Sequence, residues 1–231
     1  MFDLSDFAKL TNSDSEDESD KLTNEQQYEE KQINVHDEIL TIREFHFSTT
    51  NAGYVWPSTF FIIDYILKHS ELFKDKRIIE LGSGTGILSL FLKKKGFNVT
   101  SSDIDEKDVT ENNQYNQNLN NVNYDHIPHT WGEKFPEDLN NFDIVIASDI
   151  ILYVAYFEKL MITLRQLMDN KPGAFMLMSY KRKLYNSKRF FVLLTENDFE
   201  YEMVESKTWI IRKSQPNTTK RSKESIDNIV L

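Results

Sequence analysis

From residue 32 onward the apolar and polar positions change period in short blocks, and each block predicts one element. Residues 32–47 predict two strands around the turn-like His36-Asp37-Glu38. In the second of these, Ile39, Thr41, Arg43, Phe45 and Phe47 share one face and Leu40, Ile42, Glu44 and His46 the other, without a two-sided contrast. Between Trp56 and His69 the apolar residues Phe60, Phe61, Ile63, Ile66 and Leu67 recur at helical spacing, and Pro57 suits a first turn. Residues 77–81 read as a buried strand and 85–95 as a helix stopped by Gly96. Strands follow at 97–102, 122–127, 142–147 and 173–178, and helices at 105–119, 156–168 and 187–195, the first of these with a polar face. Residues 199–205 and 207–212 read as a terminal strand pair around Ser206.

Strand followed by helix, repeated, predicts an α/β fold with a mostly parallel sheet and right-handed crossovers. The final pair predicts an antiparallel hairpin at one edge of that sheet. The expected organisation is a strand pair and lead-in helix over 31–70 and a main domain over 71–213. It is flanked by a disordered acidic tail over 1–30 and a polar tail over 214–231. The first tail is expected to be disordered because residues 12–20 contain no apolar side chain. Ser13, Ser15 and Ser19 lie among its acids as candidate kinase sites, with a plain solvated tail as the other reading. Residues 112–123 are rich in Asn and read as low-complexity sequence within a helix and loop.

Composition narrows the field. With 231 residues, 16 Phe and 10 Tyr, the chain can build a substantial core. No apolar run approaches the length of a membrane span, and the N-terminus lacks the pattern of a signal peptide. Cys is absent, which excludes disulfides and thiolate metal sites. A net charge of −10 disfavours nucleic acid and favours a basic partner. The expectation is a cytoplasmic monomer, also found in the nucleus, that acts on another protein without nucleic acid, membrane or metal.

Four motifs carry candidate chemistry. The strand at 77–81 runs into Glu80-Leu-Gly-Ser-Gly-Thr-Gly86, where Gly82, Gly84 and Gly86 allow a ligand close to the backbone and the helix beyond offers free N–H donors. Dinucleotide sites prefer a glycine at position 87, which is Ile, and the acid Glu80 suits an amine-bearing or cationic ligand better than a phosphate. Asp103 ends the second strand of the repeat, where a carboxylate can accept both hydroxyls of a ribose; Asp105 reads as the cap of the next helix. Trp131-Gly132, in a loop on the same edge, can stack on a purine, although a lone Trp is usually core. Asp149 follows the strand at 142–147, as a group to grip a reacting amine or as a helix cap. His126 and His129 lack a carboxylate or thiol at metal-like spacing.

These motifs resemble those of the class I, seven-β-strand S-adenosylmethionine methyltransferases. More narrowly, Gly53-Tyr-Val-Trp-Pro57 looks like the lead-in of the methyltransferase-like group of protein methyltransferases, mostly protein-lysine enzymes with one branch acting on a histone arginine. The resemblance covers about residues 40–210. It implies a Rossmann-like seven-stranded sheet with helices on both faces and S-adenosyl-L-methionine as methyl donor. By it, Glu80 and the loop of Gly82, Ser83, Gly84 and Gly86 hold the methionine part, Asp103 the ribose and Trp131 the adenine edge, while Trp56 closes over the ligand. Asp149 opens the group's D-x-x-Y/F signature and, with Tyr153, forms the candidate catalytic pair. The chain departs from that signature: position 152 is Leu and the aromatic is Tyr153. The resemblance implies a protein acceptor, lysine ahead of arginine. A small-molecule methyltransferase and a non-catalytic module on the same fold are the alternatives.

Overall fold

The computed structural model describes residues 28–45, 51–181 and 187–214. The acidic tail up to residue 27, with its serines, and the polar tail from 215 onward lie outside the described residues, as do His46 and Phe47.

The chain forms a two-stranded hairpin and a seven-stranded sheet. The hairpin pairs β1 (Tyr28–Val35) with β2 (Glu38–Phe45) antiparallel, so β1 starts three residues inside the stretch expected to be tail. After α1 (Thr59–Lys68), the main sheet begins with β3 (Arg77–Leu81), α2 (Ile87–Lys94), β4 (Asn98–Asp103), α3 (Lys107–Leu119) and β5 (His126–Pro128). It continues with β6 (Ile144–Ser148), α4 (Phe157–Met168), β7 (Phe175–Ser179), α5 (Ser187–Glu196), β8 (Phe199–Glu205) and β9 (Thr208–Lys213). The spatial order is β5-β4-β3-β6-β7-β9-β8. The first five strands run parallel to one another, and β9 runs antiparallel to both β7 and β8. This is the Rossmann-like sheet with a terminal antiparallel hairpin that the element pattern predicts.

The central strands β3, β6 and β7 are buried on both faces, which is why they read as near-continuous apolar runs. Because side chains alternate, Ile79, Val145, Met176 and Ile211 enter one core with α4 and α5. Ile78, Ile144, Leu177 and Ile210 enter the other with α1 and α2. The order reverses at β3: the chain first builds outward through β4 and β5, then returns to place β6 on the other side. Open α/β sheets bind ligands at such a switch point, beyond the carboxyl ends of the strands.

Local structure departs from the sequence expectation in three places. In β2, Leu40, Ile42 and Glu44 are buried while Ile39 is 62% exposed, so a two-sided contrast does exist, broken by the buried Phe45. On α3, the supposed polar face is buried: Asn112, Asn113, Asn116 and Gln117 are almost fully enclosed. For Asn112 and Asn116 the reason is pairing with the β2 backbone, while Gln117 bonds Asn113 and accepts the Tyr124 N–H. Asn116 Oδ1 accepts the Arg43 N–H at 2.8 Å and its Nδ2 donates to the Arg43 carbonyl at 3.2 Å. Asn120 pairs with Thr41 in the same way, at 3.0 and 2.8 Å. Residues four apart on a helix stack on one face, and alternate residues of a strand share a face, so the two periods mesh and α3 holds β2 by its edge. Third, Asp105 does not cap α3: the cap position is Glu106, without a side-chain cap bond.

Candidate active site

The switch point holds a cavity of about 420 Å³, within the size range of small-molecule sites. Its floor is the glycine loop after β3. Gly82, Gly84 and Gly86 have φ of +67°, +53° and +80°, the left-handed region. A Cβ on Gly82 would stand 2.8 Å from Ile150 Cγ2 and 3.5 Å from Trp131 Cζ2, and one on Gly84 would stand 3.0 Å from the Ala52 carbonyl oxygen. The loop is thus threaded between the post-β6 segment on one side and the lead-in segment on the other.

Asp103, at the end of β4, lines the cavity. Its Oδ2 accepts the Gly84 N–H at 2.6 Å and its Oδ1 accepts the Ile104 N–H at 2.7 Å. Burial pushes this carboxyl up to about 6, although both amides act in the opposite direction. Ser83 also lines the cavity, and its buried hydroxyl has no hydrogen-bond partner among the described residues. A buried polar atom without a partner is costly, so Ser83 is a ready contact for a bound polar group. Trp131 lines the same end and packs on the core beneath.

Glu80 and Gly86 are not among the lining residues. Glu80 is buried behind the loop, where its Oε2 accepts the Ser89 N–H at 3.0 Å and the Ser89 hydroxyl at 2.5 Å. Burial raises its carboxyl to about 8, with Asp103 adding to the effect. Glu80 thus anchors the first turn of α2 and, through it, the loop.

The rest of the cavity wall is built from the post-β6 segment and the lead-in. Asp149 is buried at φ +53°. Its Oδ2 accepts the Ser58 N–H at 2.9 Å and its Oδ1 the Lys181 N–H at 3.2 Å. The carboxylate therefore caps no helix of its own segment; it joins β6 to the turn before α1 and to the chain after β7. Around it, Ser148 and Thr59 share a hydroxyl contact at 3.0 Å, and the Ser179 hydroxyl donates to the Ser58 carbonyl at 2.6 Å. Trp56 lines the cavity, and its Nε1 donates to the Asn51 carbonyl at 3.1 Å. Leu152 and Tyr153 both reach the cavity, so the displaced aromatic still faces it. Tyr153 and Tyr156 are each 48% exposed and meet edge to face at 6.1 Å, forming an aromatic rim.

Of the sequence-derived site residues, the structure gathers Trp56, Gly82, Ser83, Gly84, Asp103, Trp131, Asp149 and Tyr153 around one cavity. Sequence reading missed Asn51, Ser58, Thr59 and Ser148. Ser58, Thr59 and Ser148 carried only one usable signal, their adjacency to Pro57 and Asp149. His126 and His129 serve separate partners, the hydroxyls of Ser101 and Thr163. Among the described residues no cluster of potential metal ligands occurs, and no helix is long and apolar enough to cross a membrane.

Sheet order and glycine loop together define the Rossmann-like methyltransferase fold. A solved structure of a Thermus thermophilus 16S rRNA methyltransferase superimposes with a TM-score of 0.61 over 81% of this chain and 51% of that one, at 16% identity. A family described as "Lysine methyltransferase" matches residues 34–197, and the chain belongs to that family. It is similar to the mouse protein-lysine methyltransferase METTL21E, 29% identical over 60% of this chain and 60% of the relative. It is also similar to the Xenopus laevis histone-arginine methyltransferase METTL23, 34% identical over 52% of this chain and 53% of the relative. The chain thus spans little more than half the length of these curated relatives.

Proposed function

We propose that this chain transfers a methyl group from S-adenosyl-L-methionine to a lysine side chain of another protein. The observation that carries the reading is the cavity floor: the Asp103 carboxylate joined to the Gly84 amide at 2.6 Å, beside the unpartnered Ser83 hydroxyl, opening toward an aromatic rim. The residues fit the donor. Asp103 retains carboxylate lone pairs for a ribose, Trp131 and Ile104 flank the adenine end, and the glycine loop leaves room for the methionine part with Ser83 as a polar contact. Glu80 and Gly86 support that loop from behind.

The bound donor supplies a methyl carbon activated by a sulfonium. The chain's own residues then have to align a neutral nitrogen with it. The amine's lone pair forms the N–C bond while the S–C pair returns to sulfur, so the lysine must first lose a proton from a group whose ordinary pKa is near 10.4. A desolvated channel beside a positive charge favours the neutral amine. Asp149 spends one lone pair of each oxygen on a backbone amide, and the remaining ones are available to orient the amine N–H. Tyr153 and Tyr156 suit the alkyl stem and cationic head of an arriving lysine. The net charge of −10 favours a basic protein surface as partner.

Arginine is the second reading, favoured by the relative named as a histone-arginine enzyme and by Leu152 in the place where the group has an aromatic. The test is incubation of the purified chain with methyl-labelled S-adenosyl-L-methionine and a cell lysate. A discrete, protease-sensitive labelled band that disappears with Gly84→Arg supports protein methylation. Donor binding without any macromolecular label supports a small-molecule acceptor instead.

A further inference from the structure

The aromatic after β6 stands at Tyr153, and a residue far away in sequence holds it. Asn51 Nδ2 donates to the Tyr153 hydroxyl at 2.5 Å across a separation of 102 residues. Asn51 is itself fixed. Its φ of +61° lies in the left-handed region, which Asn tolerates better than most residues. Its carbonyl accepts the Trp56 indole N–H, and the next residue, Ala52, lies against Gly84. The segment 51–57 therefore runs as a strap over the glycine loop. Its start is anchored to β2 by the Phe45 N–H on the Gly53 carbonyl at 3.0 Å, and the buried Glu44 accepts the Val55 N–H at 2.8 Å. At Asn51 this strap is tied to the post-β6 loop. Tyr153 also meets the edge of Tyr156 and is half exposed, so this hydrogen bond selects one position for its hydroxyl.

Topology locates the pair within the cavity. Asp103 ends β4 and Asp149 is the first residue after β6, with β3 between them. Two interstrand spacings separate those ends by about 10 Å. Asp103, Asp149, Leu152, Tyr153 and Asn51 all line the cavity, and Tyr153 stands four residues beyond Asp149. A phenol oxygen has two lone pairs and one hydrogen. Asn51 takes one lone pair, and among the described residues the other lone pair and the hydroxyl hydrogen remain for a ligand.

We infer that Asn51 is a positioning residue that fixes the Tyr153 hydroxyl as a hydrogen-bonding group for the acceptor amine, and not for the adenosine or methionine parts of the donor. This rests on the reading of the cavity as a methyl-donor site.

Two donor analogues separate the roles. Sinefungin carries an amine in the place of the transferred methyl; S-adenosylhomocysteine carries nothing there. Each is titrated calorimetrically into the full chain as wild type, Tyr153→Phe, Asn51→Ala and the double variant. S-adenosylhomocysteine affinity should stay within about twofold throughout, while sinefungin weakens roughly five- to tenfold in each single variant and no further in the double. Equal loss of both ligands, additive losses, or unchanged sinefungin binding in Tyr153→Phe would overturn the inference. If Asn51→Ala does not fold, Tyr153→Phe alone decides, because it keeps the ring and removes only the oxygen. A wild-type chain that binds neither analogue overturns the donor-site reading and this inference together; a chain that binds both with unchanged selectivity in the variants overturns the inference alone.

Discussion

The carboxylate of Asp149 lies 2.9 Å from the backbone nitrogen of Ser58, 91 residues earlier, and accepts its N–H. The same carboxylate accepts the Lys181 N–H, so one buried side chain joins three segments beside the cavity. Asp149→Ala would strand both amides. That costs about 2–3 kcal/mol, which for a chain of this size lowers Tm by roughly 5–10 °C. Turnover should fall about a hundredfold through misplacement of the amine, while S-adenosylhomocysteine affinity stays within a few-fold. Thermal unfolding, calorimetry and initial rates on one preparation check all three.

Gly84 is held at φ +53° with a Cβ position 3.0 Å from the Ala52 carbonyl oxygen. Gly84→Ala should therefore weaken S-adenosylhomocysteine binding by roughly tenfold or more, through strain and displacement of the strap. Asp103→Ala should weaken it at least as much, with loss of a ribose contact and of the Gly84 tie. Calorimetric titration of the two variants reads both effects.

Glu80 gives a pH dependence. Its folded pKa, about 8, lies above its ordinary value of 4.5, so the native state binds the proton more tightly. Its contribution to stability is full below pH 4.5 and is lost as pH rises toward 8. Asp103 acts in the same sense between 3.8 and about 6. His126, lowered to about 4 by burial, acts oppositely, its stabilisation present above 6.5 and lost as pH falls toward 4; His129 is shifted in the same direction as His126. The carboxyl and imidazole effects compete below pH 6.5, leaving Glu80 to set the slope above it. Tm of the ligand-free chain should decline from pH 6.5 to 8, and Glu80→Gln, which can still accept from Ser89, should flatten that decline.

Asn116 and Asn120 each pair with both peptide groups of one β2 residue. Replacing either by Ala should destabilise the chain by about 1–3 kcal/mol. Amide exchange at Arg43 or Thr41, respectively, should accelerate before global unfolding. Denaturant titration with hydrogen-exchange mass spectrometry distinguishes this from a neutral surface change.

The fold was largely legible because period, not composition, specifies it: apolar runs such as Ile144–Ser148 are strands enclosed on both faces. Gly82, Gly84 and Asp103 were legible because a strand ending in a tight glycine turn brings its sequence neighbours into one site. The Asn residues of α3 were not. A polar side chain reads as solvated unless its partner is known, and for Asn112, Asn116 and Asn120 that partner is the backbone of a strand some 70 to 80 residues away in sequence. Asn51 was hidden for the same reason, since its bond to Tyr153 is made by tertiary structure alone. Glu80 was recognised as a site residue, but nothing in the sequence indicates that it reaches Ser89 behind the loop.

The central claim is methylation of a protein lysine, and amino-acid analysis of the labelled acceptor tests it most directly. The band labelled from methyl-tritiated S-adenosyl-L-methionine is excised, hydrolysed in acid and resolved against methylated lysine and arginine standards. The account predicts label in methyl-lysines, absent with Gly84→Arg. Label in methyl-arginine, or none in any amino acid from an enzyme that binds the donor, would contradict it.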